Sequence, residues 1–137
     1  MKEFETYTLP NGIKGIHRRV KSAIAHCALV INAGSRDERH DEYGLAHFTE
    51  HALFKGTHKR KAYQVNCRLE NLGGELNAFT TKEDTTIHAT TLRSDFAKAV
   101  ELITDVAFDS TYPERELAKE REVIVDEINT YKDSPAD

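Results

Sequence analysis

The chain has 137 residues, with nineteen basic and twenty-three acidic side chains, a formal net charge of −4, 39% hydrophobic residues and 31% charged ones. That balance describes one globular domain with a real core, and it excludes binding to nucleic acid or an anionic membrane through bulk charge. No run of about 18 apolar residues could span a bilayer, Met1-Lys2-Glu3-Phe4-Glu5-Thr6 contains no apolar leader, and the isolated Cys27 and Cys67 suggest reduced thiols in a cytoplasmic protein.

The first forty residues read as β structure. Leu9-Pro10-Asn11-Gly12-Ile13 is a turn between two short strands, because Pro presets φ and Asn-Gly tolerates positive φ. Ala23 to Ala33 is nearly continuously apolar, which predicts a central strand covered on both faces. Gly34-Ser35 ends it, and Arg36 to Glu42 forms a charged loop. A helix follows from about Tyr43 to Phe54, stopped by Gly56. It is apolar on almost every side, as a buried helix is.

A second helix spans about Ala62 to Leu72 and stops at Gly73-Gly74. Leu76 to Thr81 and Thr85 to Leu92 read as strands around the polar turn Lys82-Glu83-Asp84. Ser94 is expected to cap a helix running to Phe108. Thr111 and Glu114 suggest a capping box around Pro113, opening a last helix to about Tyr131. Ser134-Pro135-Ala136-Asp137 then ends a charged helical run abruptly. Strands first, then helices interleaved with strands, predict an α+β fold: a mainly antiparallel sheet packed with helices.

The chemistry concentrates in His47-Phe48-Thr49-Glu50-His51. His47 and His51 stand at i and i+4, so both imidazoles leave one face of the helix. Two nitrogens one turn apart can chelate Zn²⁺. Glu50 lies on the flank of that face, where it can hold a metal-bound water and accept its proton. The competing reading is a core helix with two hydrogen-bonded histidines. Against it, such groups in so apolar a helix need strong compensation.

The last helix offers that compensation. Its core stripe is Leu117, Glu120, Ile124, Glu127 and Tyr131, with two carboxylates where apolar residues belong. One of these glutamates with the two histidines makes a three-ligand zinc site open at its fourth position. Alternatives are a surface face of helix-to-helix salt bridges, Arg115, Lys119 and Arg121 being near, and a closed structural zinc site with four protein ligands. The basic run His58-Lys59-Arg60-Lys61 reads as a solvated loop.

These residues together resemble the inverted zinc-motif (inverzincin) peptidases, the family of pitrilysin, insulin-degrading enzyme and the mitochondrial processing peptidase. The resemblance runs over nearly the whole chain. Thr8-Leu9-Pro10-Asn11-Gly12 is similar to the family's opening strand and turn, and Asn32-Ala33-Gly34-Ser35-Arg36 to the approach to its zinc helix. Phe54-Lys55-Gly56-Thr57 follows the motif as in the family. Gly73-Gly74-Glu75-Leu76-Asn77-Ala78-Phe79-Thr80 resembles its glycine turn and substrate-binding edge strand, and Glu120 to Ile128 its second zinc helix. The family's third ligand is a glutamate 76 residues beyond the second histidine, which is Glu127 here (51 + 76). Thr49, Ala52 and His88 depart from the family pattern without touching the ligands.

The resemblance implies a processing-peptidase-like metallohydrolase fold and a zinc-dependent endopeptidase acting on a peptide or small protein. His47, His51 and Glu127 would hold Zn²⁺, with Glu50 as general base and Glu120 as a supporting acid. Asn77, Ala78 and Phe79 would bind substrate, which adds a strand to the sheet. It also implies that residues 1–137 are the N-terminal part of a single metallopeptidase domain, truncated at its C-terminus. A C-terminal half or second subunit would then complete the substrate site. The alternative is a non-catalytic zinc-binding fragment or partner subunit that needs the missing half for activity.

Overall fold

In the computed structural model, β1 (Glu5–Thr8) and β2 (Lys14–His17) pair as an antiparallel hairpin. The structure describes residues 3–134. The leader reading at Met1-Lys2 and the chain end at residues 135–137 therefore lie outside the described residues. At the turn, Gly12 N–H donates to the Leu9 carbonyl at 2.9 Å and Gly12 takes a φ of 91°. The Pro-Asn-Gly signal thus sets the hairpin, as its backbone preferences require.

Among the described residues the larger sheet has three strands: β3 (Ile24–Ile31), β4 (Glu75–Thr80) and β5 (Thr85–Leu92), in the order β3-β5-β4 with antiparallel pairing throughout. Asn77 pairs with His88, and Ala28 pairs with the same histidine from the other side. The sequence expectation that β3 is the central, doubly covered strand is corrected here. Among the described residues β3 is an edge strand that alternates, Val30 being 61% exposed while Leu29 packs on the core. The central strand is β5, with Ile87 and Ala89 buried. A run of apolar residues does not distinguish a two-sided strand from an edge strand with one face open.

Among the described residues four α-helices complete the α+β fold: α1 (Leu45–Ala52), α2 (Ala62–Glu70), α3 (Phe96–Phe108) and α4 (Glu114–Lys132). The core forms where α2 and α3 meet the sheet, around Val65, Leu69, Ile87, Ala99, Leu102 and Val106. None of these helices is long and apolar enough to cross a membrane. α3 begins after a short 3-10 turn, so Asp95 rather than Ser94 stands at its N-cap. The box proposed for α4 does not form. Pro113 is itself the N-cap, and Thr111 turns away so that its N–H and hydroxyl reach the Gly56 carbonyl.

α1 is less buried than its composition suggests. Only Ala52 is fully buried within it, and Leu45 is half exposed. Among the described elements, β4 and α4 make the most extensive contacts with this helix. Its polar face is turned toward α4, and there the histidines and glutamates meet.

Candidate metal centre

The N-terminus of α1 is fixed by a residue outside the helix. Glu38 accepts the N–H of Gly44 at 2.9 Å and that of Ala46 at 2.8 Å, one on each carboxylate oxygen. An anion here satisfies donors that the first turn leaves open and complements the helix dipole. Gly44 makes the entry with a φ of 90°, and Gly56, with a φ of 132°, ends the segment. Between these stops, His47 and His51 project together. Their rings stand edge to face at 88°, with the two Nε2 atoms 3.0 Å apart.

α4 brings the third donor. Glu127 Oε2 lies 3.7 Å from His51 Nε2 and 3.9 Å from His47 Nε2, and the three donor atoms all fall within 4.8 Å of one another. Zinc bonds of about 2.0–2.1 Å in a tetrahedron separate the donors by about 3.3–3.4 Å. The observed distances bracket that value, and two imidazoles with one carboxylate match the donor set of open zinc sites. The side chains of His47, His51 and Glu127 keep 40%, 23% and 37% of their exposure, which leaves the centre accessible to water. Among the described residues no fourth His, Cys, Asp or Glu joins the group, so a closed four-ligand site is not formed.

Glu120 faces a different nitrogen. Its Oε1 lies 2.7 Å from His51 Nδ1, and its Oε2 lies 2.7 Å from Lys55 Nζ. Only 6% of the residue is exposed. Burial pushes this carboxyl up, but the hydrogen bonds from Lys55 and His51 outweigh it and hold it below its ordinary value. An ionised carboxylate can only accept, so His51 donates from Nδ1 and its Nε2 lone pair is left facing His47 and Glu127.

Glu50 is not among the converging donors. Its Oε2 accepts a hydrogen bond from Thr80 Oγ1 at 2.5 Å, joining the zinc-motif helix to the end of β4. On β4, Asn77 Oδ1 accepts the Ala78 N–H at 2.9 Å. Phe79 is 48% exposed, with its ring 5.8 Å from that of His88. Within the described sheet β4 pairs only with β5, so its other edge stays open beside α1.

Several residues escaped the sequence reading. Glu38, Thr80 and Lys55 all hold parts of this centre. Lys55 had a readable signal: with His47 and His51 it continues a series of four-residue steps along one face. The basic run is also corrected at Arg60. Its guanidinium donates to Glu101 at 3.0 and 2.7 Å and to Asp105 at 2.7 Å, and Thr57 Oγ1 donates to Asp105 at 2.8 Å. Asp105 is 4% exposed, so its charge requires that partner. His58 and Lys59 remain exposed as expected.

Comparisons with known proteins bear on the family and the fold. The family model described as "Insulinase (Peptidase family M16)" matches residues 16–137. The chain is 37% identical over 134 residues to an uncharacterized zinc protease, YmxG, of Bacillus subtilis (strain 168), covering 96% of this chain and 32% of that protein. It is 37% identical over 126 residues to the mitochondrial-processing peptidase subunit beta of Rattus norvegicus, covering 92% of this chain and 26% of the relative. The crystal structure of a protease from Helicobacter pylori superposes with a TM-score of 0.86 at 28% identity, over 90% of this chain and 30% of that one. The periplasmic protease PqqL from Escherichia coli shares the fold, with a TM-score of 0.90 at 24% identity, over 98% of this chain and 16% of that one. The chain thus spans about a third or less of the length of each of these proteins.

Proposed function

The chain belongs to the insulinase family of peptidases, family M16, and we propose that it is the catalytic part of a zinc-dependent endopeptidase. His47, His51 and Glu127 hold the Zn²⁺. The observation that carries this reading is the convergence of their three donor atoms within 4.8 Å on a face open to solvent. When bound, zinc supplies Lewis acidity that polarises the scissile carbonyl and acidifies a water.

The other roles fall to this chain's own groups. Glu50 takes the proton of the attacking water and later passes it to the leaving amine. Thr80, hydrogen-bonded to Glu50 Oε2, fixes the rotamer of that carboxylate. Glu120 holds His51 in the tautomer whose Nε2 is free. The peptide or small-protein substrate extends along the open edge of β4, taking backbone hydrogen bonds from Ala78 and side-chain contacts from Asn77 and Phe79. Asn77 Oδ1 must then release the Ala78 N–H it now accepts. The free thiols of Cys27 and Cys67 suit a reducing, cytoplasmic setting.

A second reading is favoured by the coverage of 26–32% of the two relatives' lengths. On it, residues 1–137 are the N-terminal part of a longer metallopeptidase domain. They bind zinc but cleave nothing until a C-terminal half or second subunit closes over the substrate. Metal analysis and a peptide-cleavage assay, on the chain alone and with the remaining portion of such a protein supplied, test both readings. One equivalent of zinc with activity only in the complemented sample supports the second; activity of the chain alone supports the first. Absence of zinc overturns both.

A further inference from the structure

The position of Lys55 calls for a role beyond surface charge. It follows the last turn of α1, where a lysine ordinarily complements the helix dipole with its ammonium in water. Here the side chain folds inward until only 24% of it is exposed, and Nζ comes to 2.7 Å from Glu120 Oε2. Glu120 is thereby divided between two donors. Oε2 takes Lys55 and Oε1 takes His51 Nδ1, so the carboxylate plane is fixed by contacts at both oxygens.

The backbone that carries Lys55 is itself pinned. Gly56 accepts the N–H of Thr111 at 3.1 Å, and Thr57 donates its hydroxyl to the buried Asp105. Lys55 therefore has a fixed origin as well as a fixed end. A chain of contacts runs from this loop through Glu120 to one ring nitrogen of His51, whose other nitrogen faces His47 and Glu127.

We infer that Lys55 is a positioning residue for the zinc ligand His51, acting through Glu120. This rests on the proposed zinc centre. With Lys55 in place, neither Glu120 oxygen is free to rotate away from His51, and the imidazole keeps the orientation that directs Nε2 at the metal. Without it, a buried carboxylate oxygen loses its partner, and the carboxylate turns to recover one.

The test is zinc affinity, measured by competition with a chromophoric chelator, in the parent chain, Lys55→Met, Lys55→Arg, Glu120→Gln and the Lys55→Met/Glu120→Gln pair. Circular dichroism of each variant checks that the fold is kept. Lys55→Met is expected to weaken zinc about tenfold, the lower end of what loss of a ligand's outer partner costs. Lys55→Arg is expected to restore most of that loss, and the effect of Lys55→Met is expected to vanish in the Glu120→Gln background. In the Co²⁺-loaded chain, the ligand-field absorption should shift in Lys55→Met and not in Lys55→Arg. Unchanged or tightened zinc binding in Lys55→Met overturns the inference, as does an equal loss in both backgrounds. A parent chain that binds no zinc overturns the zinc centre itself, which is a distinct result.

Discussion

Glu120 Oε1 stands 2.7 Å from His51 Nδ1, while Glu127 Oε2 stands 3.7 Å from Nε2 of the same ring. One imidazole therefore meets two carboxylates from α4, one at each nitrogen. Their spacing of seven residues keeps both on one helix face. Burial sets their difference. Glu120 is nearly enclosed and doubly hydrogen-bonded, whereas Glu127 keeps an exposed carboxylate free to bind a cation.

Glu127→Gln and Glu120→Gln should therefore fail in different ways. Glu127→Gln is expected to lose stoichiometric zinc, because it removes a charged donor. Glu120→Gln is expected to keep the site with an affinity about 10–100-fold weaker. Metal analysis after dialysis against a chelator of graded strength separates the two. Equal retention of zinc by both would show that Glu127 is not a ligand.

Glu50→Gln should retain one equivalent of zinc and lose peptide hydrolysis by a factor of about 10²–10⁴, the range of a general base. Both quantities are measured on the same preparation, in a form of the protein that cleaves peptide. Unchanged turnover would end the general-base assignment.

Thr80→Val removes the hydroxyl that holds Glu50 Oε2 while leaving the β-branched shape suited to a strand. The expectation is a fall in kcat of about tenfold, from a base held less well in place, with zinc content unchanged. Thr80→Ser should recover most of the loss. A change confined to KM would instead place Thr80 in substrate binding.

The loop after α1 should depend on Arg60. Arg60→Ala leaves Asp105 buried without its cation, at a cost of about 3–5 kcal/mol. Thr57→Val removes a hydrogen bond to the same carboxylate and the acceptor of the Lys59 and Arg60 N–H groups, and should cost about 1–3 kcal/mol. Urea denaturation of the two variants reads both numbers. A neutral Arg60→Ala would mean that the network does not hold the loop.

The metal centre was legible in the sequence because its elements are local or periodic. His47 and His51 are one turn apart, and Glu120 and Glu127 interrupt an apolar stripe, so each pair announces its helix face without tertiary knowledge. Which glutamate meets the metal was not periodic information. It comes from resemblance; in the fold Glu127 lies beside both Nε2 atoms and Glu120 beside Nδ1. The hairpin at Asn11-Gly12 was readable for the same local reason. Strand order was not: the apolar run of β3 says that it packs, not whether it has one neighbour or two. Glu38, Thr80 and Arg60 act across 6 to 45 residues. Each is an ordinary polar residue in sequence, and only the fold reveals what it touches.

The most direct measurement is anomalous diffraction at the zinc edge from crystals of the zinc-loaded chain. The proposed zinc centre predicts one peak at about 2.0–2.2 Å from His47 Nε2, His51 Nε2 and a Glu127 oxygen, with Glu120 remaining on His51 Nδ1. A chain that stays metal-free in excess zinc, or a peak ligated by Glu120 in place of Glu127, would contradict it.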